Sequence, residues 1–140
     1  MAEVLHQRRI SAPPDKVYAA LTTADGVRAW WTRDAELDQA GGVFGFHGRR
    51  VVTKVTITEL SPPTRVVWTV IASNAPGGWE GTTIAFDLAP DGAGGTSLIF
   101  SHSGFAAMNE GVERVTTGWG LYLDSLKALA ETGQGAPHTG

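Results

Sequence analysis

The sequence predicts an α+β fold: a curved antiparallel sheet of six to seven strands wrapped around one long C-terminal helix, with two short helices after the first strand. Three observations carry this expectation. First, Asn109–Thr132 repeats its apolar residues at helical spacing. Val112, Val115, Trp119, Tyr122, Leu123, Leu126, Leu129 and Ala130 form one stripe about 120° wide, and Glu113, Thr117, Asp124, Lys127 and Glu131 occupy the facing side. Second, the chain between Val43 and Ser103 alternates with a period of two and is cut repeatedly by Gly- and Pro-containing turns, the pattern of an antiparallel meander. Third, the helix stripe must be covered, and those strands are the only large apolar surface left to cover it.

Taken in order, Glu3–Ile10 alternates Val4, His6, Arg8 and Ile10 against Leu5, Gln7 and Arg9, as an edge strand with Arg8 and Arg9 near solvent. Pro13-Pro14 ends it. Pro14 suits the first position of a helix and Asp15 its positive end, so Val17, Tyr18 and Leu21 become the inner face of a short helix. Thr23 or Asp25 caps a second short helix running through Trp31. Trp30 and Trp31 cannot both point inward from one helical turn, so one is expected on the sheet and the other beside an opening or a loop. Asp34–Leu37 reads as a brief strand or an irregular link. Strands follow at Val43–His47, Val51–Leu60, Arg65–Ser73, Trp79–Ala89 and Thr96–Ser103, separated by Gly48-Arg49-Arg50, Ser61-Pro62-Pro63-Thr64, Asn74–Gly78 and Pro90–Gly95. In the long helix Glu110 and Arg114 are spaced to pair. Gly133 is placed for a left-handed cap. One domain over residues 1–133 is expected, with a disordered tail at 134–140.

A chain of 140 residues supports one sizeable core. Its net charge of −3 gives no electrostatic case for nucleic acid or an anionic membrane. No apolar run is long enough for a membrane span, and Met1–Ile10 lacks the apolar region of a secretion signal, so a cytoplasmic address is the default expectation. The absence of cysteine excludes disulfides, thiolate catalysis and cysteine zinc sites. The four histidines show no metal-binding spacing, and no nucleophile-elbow or phosphate-loop motif occurs, so neither a metal nor any other cofactor is expected.

Several ordered motifs carry a resemblance. Ile10-x-Ala12-Pro13, Val17-Tyr18-x-x-Leu21-Thr22, Trp30-Trp31, Gly41-Gly42-x-Phe44, Glu59-x-x-Pro62-Pro63-x-Arg65-Val66-Val67, Gly95-Thr96-x-Leu98, His102-x-Gly104-Phe105 and Gly118-Trp119-x-x-x-Leu123-x-x-Leu126 resemble the SRPBCC (START-like) superfamily. Within it they resemble the branch similar to the activator of the ninety-kilodalton heat-shock chaperone's ATPase. The resemblance spans residues 6–132 and implies the helix-grip fold, the architecture reached above from periodicity. It also implies a range of functions: lipid and polyketide binders, aromatase/cyclases and a co-chaperone domain. The eukaryotic co-chaperone carries a further N-terminal domain with no counterpart in this chain, which weighs against chaperone activation.

A helix gripped by a curved sheet leaves room on the concave side. Alternation directs Phe44, Phe46, Val55, Trp68, Phe86, Phe100 and His102 there from the strands, and Trp119, Tyr122 and Leu123 from the helix. Trp30 and Trp31 border it, and Glu80 is placed at its mouth. These thirteen are the expected ligand contacts, since aromatic walls with a few polar tips suit a small apolar or aromatic ligand. Core filling is the competing reading of each aromatic residue. His102 is the titratable group of greatest interest, as a ligand anchor, a general base or a structural donor. His47 reads as a surface residue near a turn, and His138 carries no signal. Gly118 is expected to permit close packing on the sheet, with ligand space as the lesser reading. The leading expectation is therefore a small-ligand-binding protein. The alternatives are a cyclase- or hydratase-type enzyme using the same cavity and a chaperone-activator-like interaction domain. No catalytic residue is assigned. Homodimerisation through an edge strand or the outer sheet face fits the pattern equally well.

Overall fold

The computed structural model describes residues 2–140. The elements are β1 (Ala2–Ile10), α1 (Pro14–Thr22), α2 (Ala24–Trp30), β2 (Asp34–Leu37), β3 (Gly41–Phe46), β4 (Val51–Ser61), β5 (Arg65–Ser73), β6 (Thr83–Pro90), β7 (Thr96–Phe105) and α3 (Glu110–Thr132). The strands form one seven-stranded antiparallel sheet in the order β1-β7-β6-β5-β4-β3-β2. Consecutive strands pair from β2 to β7, and β1 closes the far edge against β7, with Val4 opposite His102 and His6 opposite Phe100. Register shifts at Lys54/Val55 and Ile57/Glu59 put two irregularities into the longest strand. Such bulges bend a strand and increase its twist, which lets the sheet curve around the helix.

The long helix starts and stops where the sequence predicts. The Asn109 side chain accepts a hydrogen bond from the Val112 N–H, and Gly133, at φ 85°, donates its N–H to the Leu129 carbonyl. Val112, Val115, Trp119, Leu123, Leu126 and Ala130 are buried as one stripe. Polar contacts stitch β1 along the same helix. His6 bonds the Thr116 carbonyl, Arg8 reaches the Gly120 carbonyl and Asp124, Lys127 holds the Arg9 carbonyl, and Glu131 accepts from the Ser11 N–H.

Three expectations need correction. Trp30 and Trp31 are both buried, at 0% and 1% exposure. They stack at 5.9 Å at the end of α2, where Trp31 is the capping residue and its N–H still bonds the Val27 carbonyl. The sixth strand begins at Thr83 rather than Trp79; residues before it form a turn in which Thr82 donates to the Trp79 carbonyl. The segment after Gly133 is held by hydrogen bonds rather than frayed. His138 and Thr32 form a parallel bridge, with Arg33 N–H to His138 C=O at 2.9 Å and His138 N–H to Trp31 C=O at 2.8 Å. The Ala136 N–H is accepted by Ser125 Oγ, and the Gly48 N–H by the Gly140 carbonyl.

Candidate ligand-binding site

The concave face is mostly filled. Trp31 is the hub: its ring lies 4.5 Å from Phe44, 5.9 Å from Trp68 and 5.1 Å from Trp119. Phe86 packs on Trp68 at 5.1 Å and on Phe100 at 5.2 Å. Trp30, Phe44, Trp68, Phe86, Phe100 and Leu123 are therefore close-packed core, because the two tryptophans at the end of α2 wedge into the curve that the sheet alone would leave open. Val55 is buried in the same core and borders an open groove between α2 and strands β2–β4. Glu80 is exposed in the turn before β6 and lies outside the cavity.

What remains open is a cavity of about 220 Å³ at one end of the grip. Its walls come from five places. α3 contributes Gly111, Arg114, Val115, Gly118, Trp119 and Tyr122, residues spaced three and four apart and so on one face of its first turns. Trp31 supplies the floor. The β3–β4 turn brings Phe46 and His47, followed by Val51 and Thr53 from β4. The β5–β6 loop adds Ala75, Pro76 and Trp79, and the C-terminal segment adds His138. Four of the thirteen expected contacts meet here: Trp31, Phe46, Trp119 and Tyr122.

The aromatic geometry is that of a lined slot. Trp79 stacks on Trp119 at 6.0 Å with 24° between planes, Phe46 lies 5.7 Å from Trp31, and Tyr122 lies 6.4 Å from Phe46. Burial raises the Tyr122 phenol above its ordinary pKa, so it presents a neutral hydroxyl. The loop backbone is pressed directly onto the helix start: a side-chain carbon on Gly111 would lie 2.6 Å from the Gly77 nitrogen, so this wall closes only with glycine. The two mid-helix glycines divide their roles. A carbon on Gly120 would meet His6 at 3.4 Å, an ordinary contact, so Gly120 lies against β1 without glycine being required there. Gly118 faces nothing within 4 Å, so the missing side chain there is cavity space, the reverse of the expectation.

His102 lies behind this slot and is fully buried. Trp119 Nε1–H donates to His102 Nδ1 at 3.1 Å, which puts the imidazole proton on Nε2. Nε2–H then donates to Thr82 Oγ1 at 2.7 Å, and Thr82 passes its own proton on to the Trp79 carbonyl. Burial pushes the His102 pKa from 6.5 down to about 3, so the ring is neutral. Every polar atom of the ring is engaged in joining two cavity tryptophans. His102 is thus a brace behind the site, with no free nitrogen for a ligand.

The rim carries the residues that sequence reading missed. His47 has φ 55°, a left-handed conformation, which breaks the strand alternation and swings its ring toward the cavity. It meets His138 edge-on at 4.6 Å, and His138 in turn sits 5.2 Å from Phe46. Arg114 is exposed and, among the described residues, forms no ion pair, so the expected pairing with Glu110 is not made. No sequence signal marked His138, because its place depends on the tail folding back. Trp79 was missed as a contact because it was read as strand. Among the described residues no cluster of His, Asp or Glu is arranged to hold a metal ion, and no helix is long and apolar enough to cross a membrane.

A seven-stranded curved sheet gripping a C-terminal helix, with two short helices at one end, defines the helix-grip class of SRPBCC proteins. Within it, the sequence model of the family described as "Activator of Hsp90 ATPase homolog 1-like protein" matches residues 11–131, and the chain belongs to that family. Among solved structures, the Aha1 dimer of Colwellia psychrerythraea is similar over 96% of this chain and 100% of its own, at 34% identity and a TM-score of 0.83. A Mesorhizobium loti protein is similar over 91% of this chain and 96% of its own, at 23% identity and a TM-score of 0.76. A protein from the dynemicin biosynthetic locus matches 95% of this chain and 48% of its own length, at 20% identity and a TM-score of 0.76. The latter two share the fold alone. No curated protein matches at a significant level.

Proposed function

We propose that this protein binds a small aromatic or apolar molecule in the slot between α3, the β3–β4 turn and the β5–β6 loop. The observation that carries the reading is the open face of Gly118 opposite the Trp31, Trp79 and Trp119 rings. A helix position that forgoes about 1 kcal/mol of helix propensity leaves a hole lined by indoles. At about 220 Å³ the hole is below the roughly 300–1,000 Å³ typical of drug-sized sites, so it suits one ring or a fused pair. Naphthalene is expected to quench the indole fluorescence of the native protein. Gly118→Leu should abolish that quenching while unfolding stays cooperative; equal quenching by the filled variant would sink the proposal. Native mass spectrometry of freshly purified protein would report a retained natural ligand.

The cyclase- or hydratase-type alternative needs a proton-transfer group facing the ligand. His102, its natural candidate, is committed to Trp119 and Thr82. Binding is the reading that asks only for the hollow itself, whereas catalysis would need one of the lining groups His47, His138 or Tyr122 positioned against a reacting atom. Self-association is a separate part of the reading. The Colwellia relative is a dimer, and here Leu5 and Ile99 are exposed on neighbouring outer positions of β1 and β7. Sedimentation equilibrium should return a dimer that Leu5→Lys weakens; a monomer at all concentrations would remove this part.

A further inference from the structure

We infer that the occupant of the slot is an anion, a small aromatic carboxylate whose ring lies between the indoles and whose charged group meets the rim at Arg114, His47 and His138. This inference rests on the binding reading above and sharpens it. Among the described residues, every ionisable group lining the cavity other than the Tyr122 phenol is a potential cation, and no carboxylate lines it. The nearby acids are committed or turned away. Asp34, on β2 beside the tail, holds Arg49 through two bonds of 2.9 Å, which keeps its carboxyl below the usual range. Glu110 and Glu113 lie on α3 but outside the lining. Arg114 is thus left as a guanidinium at the mouth of an apolar slot, without an internal partner among the described residues. A planar fork of N–H donors at that place suits a carboxylate.

The two histidines add a second observation. They come from unrelated parts of the chain, a strained turn and the C-terminal segment, yet their rings meet at 4.6 Å. His138 Nδ1 accepts the Gly140 N–H, so its proton sits on Nε2. Burial and the adjacent His47 hold the His138 pKa below its ordinary value. Both disfavour a proton on His138, and an anion in the same cavity favours it. Asp34 and Arg49 lie beside the C-terminal segment as a neutralised couple, and Arg114 and Tyr122 line the same cavity from α3. An anionic ligand should therefore bind more tightly as the pH falls through the histidine range.

The test compares naphthoate with the neutral, similarly shaped naphthamide by calorimetry and indole quenching. Naphthoate should bind roughly fivefold to tenfold more tightly, the effect of one charge-assisted contact at a half-exposed rim. Raising the salt concentration should erode the difference. In Arg114→Gln the two affinities should converge, and in the double variant His47→Gln, His138→Gln the pH dependence should flatten. Octanoate should bind more weakly than naphthoate. Naphthamide binding as tightly as naphthoate, or a preference for naphthoate unreduced both by Arg114→Gln and by the double histidine variant, would overturn the anionic assignment while leaving the binding site standing. Octanoate matching naphthoate would overturn the aromatic part. Failure of naphthalene, naphthamide and naphthoate alike would remove the binding reading itself.

Discussion

The imidazole of His102 receives a proton bond from Trp119 and gives one to Thr82, and it is sealed from solvent. Its proton affinity is therefore set by the fold. The folded pKa of about 3 lies below the ordinary 6.5. Below about pH 6.5 the unfolded chain takes up a proton at this ring that the folded chain refuses, so acid favours unfolding. This contribution is fully present above the unfolded pKa and is lost as the pH falls toward about 3, at no more than about 1.4 kcal/mol per pH unit. Denaturant midpoints between about pH 6 and pH 4 should fall less steeply for His102→Gln than for the native protein, although the variant is less stable at neutral pH. Equal slopes would show that His102 titrates normally. The same residue was visible in the sequence as an inward histidine. Its partners were not, because Trp119 and Thr82 are distant in the chain and meet only when β6, β7 and α3 pack.

At the scale of elements, α3 is the best-determined part of the molecule. Its stripe and its Gly133 stop are local in sequence, so they could be read without knowing the sheet. The cap has a defined worth: Asn109→Ala removes the acceptor of the Val112 N–H and should cost about 1 kcal/mol, read as a lower unfolding midpoint. Because Asn109 lies two residues before Gly111 and its Gly77 backbone contact, fraying there should also loosen the cavity wall. The strands were legible to within a few residues wherever alternation was clean, as in β5, which runs Arg65–Ser73 as expected. The boundaries failed where a turn interrupts the alternation. Trp79 sits next to a turn rather than in β6, and His47 adopts a left-handed backbone at the end of β3.

At the scale of the whole molecule, the C-terminal segment ties three elements together. It bridges Thr32, bonds Ser125 on α3 and reaches the β3–β4 turn, while His138 lines the slot. It therefore acts as one wall of the site and a clasp on the end of the grip. Deleting residues 135–140 should lower the melting temperature by a few degrees and speed exchange of naphthalene measured by stopped-flow quenching. Unaltered exchange would show that the segment does not guard the opening.

The sequence by itself determined the fold class, the element order, and the long helix with its apolar stripe and its Gly133 stop. Those properties follow from periodicity and from local backbone chemistry, which act over a few residues. Of the inward-facing aromatics it named, Trp31, Phe46, Trp119 and Tyr122 line the hollow and the rest fill the core. Only the tertiary structure decided that the two tryptophans at the end of α2 fill the centre of the curve. The same packing left the hollow at one end and made Gly118 its open face. It also set Arg114, His47 and His138 in the lining of one hollow. Cavities and charge clusters are differences between surfaces that meet across long stretches of chain, and no local pattern encodes where the packing stops short.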